Sequence, residues 1–296
     1  MTKFIGMIGF GLIAKVHTKI LFQKKNYVNV VLVKKERSIN DVESFFDNEF
    51  SYIPKITSSY EQFFKEKIKL LFLCSPPQTH FFYLLKALDR GISVFCEKPL
   101  FWENQISFEE IKNRILKIRN HKRLSLLVNT SNSQFADEIL KFNKIKKIKF
   151  LKFVFHTNGS NKFSDISVDL LPHGLSILIR VLGSGKISNL ESNILEFLVK
   201  YKFLYDSADI EFEFMQGDKI EKKMIIQLND LVYRRAQTGF GSSYKVHLIC
   251  EGGENIENII DPFQTYIDFF LNGYTQHQID LFNLELMCEI LKGKTC

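Results

Sequence analysis

A glycine-rich stretch near the start of the chain has the composition and spacing of a phosphate-binding turn. Residues 9–14 read Gly-Phe-Gly-Leu-Ile-Ala, which fits the pattern GxGxxA directly after an apolar run and directly before a segment of helical periodicity. Gly9 permits a tight turn, Gly11 lets the backbone approach a pyrophosphate, and Ala14 lets the helix pack close to the strand. The helix N-terminus then offers N–H donors and a positive dipole to the phosphates. We predict dinucleotide binding by Gly9, Phe10, Gly11, Leu12, Ile13 and Ala14; the alternative is a glycine turn without a ligand.

Basic residues follow the second predicted strand, at the place where a dinucleotide site contacts the adenosine ribose. This strand ends in the sequence Val33-Lys34-Lys35-Glu36-Arg37. Ammonium and guanidinium groups suit a 2′-phosphate better than a bare hydroxyl, and a carboxylate would repel that phosphate. Lys34, Lys35 and Arg37 are therefore predicted to bind NADP. Glu36 leaves NAD as an alternative, and a further alternative is that these charges are only solvated.

The elements that position these residues alternate between strand-like and helix-like segments over residues 3–128. Repeated βα units with short connections predict a parallel sheet with helices on both faces. The later runs alternate between apolar and polar residues, which predicts a mostly antiparallel sheet. Helices are predicted from about Leu170 to Leu182, from Pro262 to Leu271 and from His277 to Lys292.

The predicted fold class is α/β, in two domains. Residues 1–125 are predicted to form a Rossmann domain with a doubly wound parallel sheet. Residues 126–296 are predicted to form an α+β domain with a large, mostly antiparallel open sheet. The last helices are expected to pack back toward the first domain.

The composition excludes several classes of protein. The 296 residues are 45% hydrophobic and contain six prolines, a composition that can bury a core and differs from that of a disordered chain. No run approaches the roughly 18 apolar residues of a membrane helix, and the start of the chain lacks a secretory signal, so we expect a cytoplasmic protein without a membrane partner. The five cysteines form no CxxC pair, so no metal site is predicted. The formal net charge of +7 is spread along the chain, and no nucleic-acid partner is predicted.

Two further stretches lie at the predicted carboxyl ends of parallel strands, where doubly wound sheets bind ligands. Ser75-Pro76-Pro77-Gln78-Thr79-His80 follows one strand, and Cys96-Glu97-Lys98-Pro99 follows the next. Together with the glycine turn and the later pair Asp169 and His173, they match the order GxGxxA, (S/T)PxxxH, EKP and DxxxH. This order resembles the glucose-fructose oxidoreductase, inositol dehydrogenase and rhizopine-catabolism (Gfo/Idh/MocA) oxidoreductase family almost from end to end.

The resemblance implies NAD(P)-dependent hydride transfer at a hydroxyl or keto carbon of a sugar, cyclitol or sugar nucleotide, by a homodimer or homotetramer. It implies that Lys98 lies between nicotinamide and substrate and that His173 is the acid or base. These residue types suit the roles, because histidine transfers protons near neutral pH and a lysine ammonium stabilises a developing alkoxide. Asp169, four residues before His173, could orient the site or bind a substrate hydroxyl. The alternative is that Asp169 caps a helix beginning just before Pro172.

The remaining residues of these motifs are expected to form the cofactor pocket. Contacts to the cofactor are predicted for Ser75, Pro76, His80, Glu97 and Lys98. His80 is expected to shape the pocket rather than to take part in the chemistry. The alternative function, from a different class, is a cofactor-binding regulatory or scaffold protein that keeps the fold and has lost turnover.

Overall fold

The computed structural model describes residues 4–35, 37–143, 145, 147–239 and 244–292. These residues form two compact units, each of which is described by itself. The first comprises the described residues up to Asn129 together with Tyr266–Leu281, and the second comprises Thr130–Thr265 together with those from Phe282 onward. The domain limits at residues 125 and 126 stay a prediction.

The first unit contains a six-stranded parallel sheet. Its strands are β1 (Ile5–Ile8), β2 (Val28–Leu32), β3 (Lys55–Thr57), β4 (Leu70–Leu73), β5 (Ser93–Cys96) and β6 (Leu126–Val128), in the order β3-β2-β1-β4-β5-β6. β1 and β4 are buried along their whole length, as expected of central strands covered on both faces. The strand order reverses between β1 and β4, so their carboxyl ends flank the crevice where doubly wound sheets bind ligands.

Helices connect these strands, and their ends follow local sequence signals. They are α1 (Leu12–Gln23), α2 (Arg37–Phe50), α3 (Tyr60–Lys65), α4 (Pro77–Leu88) and α5 (Phe108–Arg119). The N-caps Ser59 and Ser107 accept hydrogen bonds from backbone N–H groups at 3.3 and 3.1 Å. Neither α2 nor β3 is among the predicted elements. α2 is mostly polar and buries chiefly Val42 and Phe46, so its apolar stripe is narrow.

The second unit contains an eight-stranded sheet in the order β14-β13-β12-β11-β7-β10-β9-β8. Its strands are β7 (Phe150–Asn158), β8 (Ile187–Ile194), β9 (Leu198–Tyr205), β10 (Ala208–Gly217), β11 (Lys223–Leu228), β12 (Leu231–Thr238), β13 (Lys245–Cys250) and β14 (Ile256–Ile259). β7 and β10 are parallel, and the other neighbouring strands are antiparallel. The predicted fold class is thus confirmed: a parallel Rossmann sheet and a second, mostly antiparallel sheet.

Helix α7 (Ser164–Leu182) packs against β10 through a close approach at Gly174. A Cβ atom at this position would lie 3.1 Å from the ring of Phe214 and 3.2 Å from that of Phe212. The lack of a side chain at Gly174 therefore lets α7 lie this close to the sheet, at the position next to His173.

The start of α7 differs from the prediction. The helix begins at Ser164 rather than near Leu170, and Pro172 lies inside it rather than in its first turn. Asp169 is therefore not an N-cap, and the capping alternative is wrong. Burial of apolar side chains such as Ile166 and Leu170 stabilises the earlier turns and outweighs the backbone hydrogen bond that proline cannot donate.

The remaining helices are α6 (Ser133–Asn143), α8 (Pro262–Leu271) and α9 (His277–Lys292), the last two with the predicted limits. Within the first unit, the ring of Phe270 packs 5.4 and 5.5 Å from those of Phe72 and Phe95 on β4 and β5. No helix in the described parts of the chain has the length and hydropathy that would let it cross a bilayer.

A buried carboxyl group in the first unit gives a prediction about stability. Asp280 is 3% exposed, and its carboxyl group accepts hydrogen bonds from the backbone N–H of Val128 at 2.8 Å and from Gln276 at 3.0 Å. Burial raises the pKa of Asp280 well above its usual value, although these hydrogen bonds act against the rise. Between the usual pKa of about 3.9 and the raised one, the folded protein holds a proton that the unfolded chain releases.

We therefore expect the contribution of Asp280 to the free energy of unfolding to fall as pH rises above about 4, by at most about 1.4 kcal/mol per pH unit. The Asp280→Asn variant has no such proton, so the stability of the wild-type protein relative to this variant should decline as pH rises. Urea unfolding of both proteins at several pH values measures the difference. Parallel pH dependences would contradict a raised pKa.

Candidate functional site

The glycine turn after β1 has a backbone that other residues would strain. Gly9 has φ +81°, and its N–H donates to the carbonyl of Leu32 at 2.9 Å. A Cβ atom on Gly9 would lie 2.7 Å from backbone atoms of Ser75. The turn therefore brings the ends of β1 and β4 into contact, and this contact requires glycine.

Gly11 presents an open N-terminus of α1. A Cβ atom here would meet nothing within 4 Å, and the helix has neither a side-chain cap nor an acidic residue in its first turn. The next side chain, Leu12, is 85% exposed, whereas Ala14 is fully buried where the helix packs on the sheet. The uncapped N–H groups and the space above Gly11 fit a pyrophosphate, which is the ligand that such a terminus binds.

A cavity of about 600 Å³ adjoins this turn and reaches the end of β2. Gly9, Phe10 and Lys34 line it, and the ring of Phe10 lies 5.3 Å from the rings of both Phe45 and Phe46. Polar side chains of α1 and α2 that the sequence analysis missed also line it: Lys15, Ser38, Asp41, Ser44, Asn48 and Glu49.

Of the other basic residues predicted to select NADP, the structure describes the side chain of Lys35. Lys35 is exposed, and Glu36 and the side chain of Arg37 lie outside the described residues. Of the predicted basic residues that the structure describes, Lys34 is the one at the cavity wall.

The glutamate of the EKP stretch belongs to a buried polar network. One oxygen of Glu97 accepts a hydrogen bond from His17 at 2.5 Å and one from Asn129 at 2.8 Å. Burial alone would raise the pKa of Glu97. The pKa is nevertheless below its usual value, because the side chain accepts hydrogen bonds from His17 and Asn129 and lies beside the charge of His17. Glu97 is thus ionised at neutral pH. Its side-chain hydrogen bonds fix the position of the residue that precedes Lys98. Its predicted contact with the cofactor stays a prediction.

Asn129 and His17 take part in this network at positions that motif matching did not select. Both are buried, with 2% and 0% exposure. The side-chain oxygen of Asn129 has no hydrogen-bond partner among the described residues, so a polar acceptor remains at the carboxyl end of β6. The signal that could have found Asn129 is its place directly after a buried parallel strand.

His80 joins the two predicted cofactor segments to each other. Its Nε2 atom lies 2.5 Å from the carbonyl oxygen of Ser75, and its Nδ1 atom lies 3.1 Å from that of Pro99. Burial lowers the pKa of His80, although these carbonyl groups act against the change. The side chain is fully buried, which is consistent with shaping the pocket.

In the second unit, Asp169 and His173 lie one turn apart on α7. One oxygen of Asp169 accepts hydrogen bonds from the side-chain amides of Gln216 and of Asn161, the latter at 3.4 Å. These two bonds fix the position of the Asp169 side chain. The ring of His173 stands edge-on to that of Phe155, with centroids 5.3 Å apart.

Gln216 is a residue of this group that the sequence analysis did not select. It lies near the end of β10, where the pairing with β7 continues to Gly217 opposite Asn158. Its side chain is 2% exposed, and a Cβ atom on Gly159 would lie 2.9 Å from its amide carbon. Glycine at position 159 therefore makes room for the amide that holds Asp169.

The structure brings the predicted residues together in two groups. The carboxyl ends of β1, β4 and β5 are adjacent in the first sheet, and they carry the glycine turn, Ser75 to His80, and Glu97 with Lys98. Asp169 and His173 form the group in the second unit. Among the described residues, no group of three or more His, Cys, Asp or Glu side chains could hold a metal ion.

Comparisons with known proteins bear on the first of these groups. Residues 3–130 match a family model described as "Oxidoreductase family, NAD-binding Rossmann fold". The chain is also 25% identical over 198 residues to Oxidoreductase P35 of Formosa agariphila, a match that covers 60% of this chain. The chain thus spans 60% of the length of this relative.

Solved structures resemble the chain over almost its whole length. The scyllo-inositol dehydrogenase of Lactobacillus casei, with bound NAD(H) and scyllo-inositol, gives a TM-score of 0.72 at 14% identity and covers 99% of this chain and 96% of its own. The UDP-N-acetylglucosamine 3-dehydrogenase GnnA of Acidithiobacillus ferrooxidans gives 0.76 at 14% identity, with 99% and 97% covered. The myo-inositol 2-dehydrogenase of Lactobacillus plantarum gives 0.71 at 13% identity, with 99% and 97% covered. At these identities the likeness establishes a shared fold.

Proposed function

We propose, on the premise that residues 3–130 belong to the Gfo/Idh/MocA oxidoreductase family and form its NAD-binding Rossmann domain, that the protein is an NAD(P)-dependent dehydrogenase or reductase. Its substrate is a hydroxyl or keto group on a sugar, cyclitol or sugar nucleotide, and it works as a homodimer or homotetramer. The observation that carries the proposal is the open N-terminus of α1 above Gly11, which lies beside the strand ends that hold Ser75 and Lys98.

The proposed chemistry is hydride transfer with loss of a proton. When bound, NAD(P) would supply the acceptor for the hydride of the carbinol carbon. His173 accepts the hydroxyl proton, which converts the carbinol to a carbonyl group. Lys98 donates a hydrogen bond to the oxygen as negative charge develops on it. In the reductive direction His173 returns the proton to the same oxygen.

Asp169 is proposed to orient the site. Gln216 and Asn161 fix its side chain one turn from His173, and a carboxylate there would stabilise an imidazolium that forms nearby. It also suits a substrate hydroxyl as a hydrogen-bond acceptor. This assignment is supported by the fixed position of Asp169 on the same helix face as the histidine.

We further propose NADP as the preferred cofactor. Lys34 and Lys15 line the cavity beside the glycine turn, where a 2′-phosphate would bind, and Ser38 offers a hydroxyl donor. The wild-type protein should bind NADPH more tightly than NADH. Lys34→Glu should weaken NADPH binding about 10- to 100-fold, because a charge-assisted hydrogen bond is replaced by repulsion, and should change NADH binding little. Fluorescence titration measures both affinities, with Lys117→Glu on the exposed side of α5 as control. Equal losses for the two cofactors would contradict a 2′-phosphate contact.

The experiment that tests the function is a turnover screen with NADP⁺ and NAD⁺ against cyclitols, sugars and sugar nucleotides, followed by absorbance at the nicotinamide band. Turnover of any of these substrates that depends on the cofactor supports the enzyme. Binding of the cofactor without turnover across the screen would favour the alternative, a regulatory or scaffold protein of the same fold.

A further inference from the structure

A second cavity, of about 290 Å³, lies in the second unit and is strongly basic. Its wall includes Phe155 of β7, Met224 of β11 and Arg235 of β12, together with Lys222 and Lys223. We call it the basic cavity. None of the described residues that line it is acidic.

The pairing of the strands places the basic cavity next to His173. Phe155 of β7 and Met224 of β11 are opposite each other in the strand register. On the other side of β11, Ile225 pairs with Arg234 of the antiparallel strand β12, so Arg235 is next to Met224. The three side chains thus form a row across neighbouring strands. His173 packs on the Phe155 end of this row, and Arg235 is two strands farther, roughly 10 Å at the usual strand spacing. One sugar ring with a phosphate can bridge such a distance.

The guanidinium group of Arg235 is held in place without a compensating charge. It donates to the hydroxyl of Tyr244 at 2.9 Å, which donates in turn to Gln237 at 3.2 Å. It also lies 5.6 Å from the ring centre of Phe135. All these partners are neutral, and its Nε atom is buried with no hydrogen-bond partner in the described structure.

The charges at the basic cavity are therefore available to a ligand. No ion pair between a described carboxylate and Arg235, Lys222 or Lys223 is present within 4 Å. The other ionisable residue of the wall, His156, lies 3.0 Å from Glu213. A half-buried guanidinium with an unused N–H group and two nearby ammonium groups matches the geometry and charge of a phosphate, because the guanidinium fork can bind two of its oxygens.

We propose that the basic cavity binds the phosphate of a phosphorylated sugar, either a sugar nucleotide or a sugar phosphate, whose reacting hydroxyl lies at His173. The inference rests on the proposed function in that it assigns both groups to one substrate. It narrows the substrate class, since a neutral cyclitol would leave three cationic groups without a partner. Arg235 is then a specificity-determining residue, with Lys222 and Lys223 contributing at the exposed side.

The first test is binding, which does not require turnover. Uridine diphosphate and glucose 1-phosphate are titrated by calorimetry into the protein with saturating NADPH. We expect binding that weakens with added salt, and a loss of about 10- to 100-fold in affinity for Arg235→Gln. Arg234→Gln is the matched control, because this exposed arginine is the preceding residue on β12 and faces the other side of the sheet. Binding of either probe that depends on Arg235 supports the cavity and identifies the source of the phosphate.

Three outcomes would overturn the proposal. The first is no binding of either probe by the wild-type protein. The second is equal affinity for the probes in the Arg235→Gln and Arg234→Gln variants. The third is an equal loss of affinity for neutral scyllo-inositol in the Arg235→Gln variant. If Arg235→Gln fails to fold, the double variant Lys222→Gln/Lys223→Gln at exposed positions replaces it, with the same expected direction. Phosphate binding that depends on Arg235 in a protein without any turnover would refute the proposed function and leave this site standing.

Kinetics then separate recognition from chemistry. With UDP-N-acetylglucosamine or another phosphorylated sugar that is turned over, Arg235→Gln should raise KM about 10- to 100-fold and change kcat little, because the phosphate is remote from the reacting carbon. A fall in kcat with unchanged KM would contradict a role in substrate recognition.

Discussion

Gly11→Asp should fold normally and lose dinucleotide binding. The space above Gly11 is open and its φ of −84° is accessible to any residue, so the fold tolerates a side chain there. A carboxylate at this position would stand where the pyrophosphate approaches α1. Two like charges about 4 Å apart at a partly exposed site repel by about 4 kcal/mol, which corresponds to a loss of about 1000-fold in affinity.

The measurement is a titration with NADPH and NADH beside a thermal unfolding curve. Gly11→Asn is the matched control, because asparagine has nearly the same volume without the charge. We expect the asparagine variant to lose less affinity than the aspartate variant, and both to melt near the wild-type temperature. Unchanged affinity in Gly11→Asp would refute the proposed pocket.

His173→Ala should keep the cofactor and lose most turnover. The residue is on α7 in the second unit, whereas the glycine turn is in the first, so the two functions can be separated by mutation. Loss of acid–base catalysis typically costs about 100- to 10,000-fold in rate. The fall should appear in kcat, with the affinity for NADPH unchanged.

Two comparisons show whether the lost turnover comes from lost proton transfer or from damage to the fold. His121→Ala removes a histidine that lies 3.1 Å from Asp89 in the first unit, and it should leave turnover intact. Thermal unfolding of His173→Ala should reveal only a small loss from the contact with Phe155, about 0.5–1.5 kcal/mol. Wild-type turnover in His173→Ala would mean that another group transfers the proton.

The parts of the molecule that depend on local spacing could be predicted from the sequence. The tight turn at Gly9 and the caps at Ser59 and Ser107 follow from residues that are neighbours in the chain. The parallel sheet follows from repeated units of strand and helix. Each of these features needs only a few consecutive residues, so their sequence signals are strong.

The parts that depend on distant pairing could not be predicted. Gln216 meets Asp169 across 47 residues of sequence, and Asn129 meets Glu97 across 32. Neither hydrophobic periodicity nor a sequence motif indicates which distant residue a side-chain amide will bind. The early start of α7 has the same origin, because packing against β10 stabilises turns that the isolated sequence leaves weak.

The imidazole of His80 has a consequence for the thermodynamics of cofactor association. Because it contacts carbonyl groups at both Ser75 and Pro99, the two segments cannot separate without breaking a buried contact. Their conformational entropy is lost when the chain folds rather than when the dinucleotide arrives. A preorganised pocket binds with a smaller entropic penalty than one that must order its loops around the ligand. His80, which is fully buried, would thus raise the affinity for the cofactor by ordering the pocket before the cofactor binds.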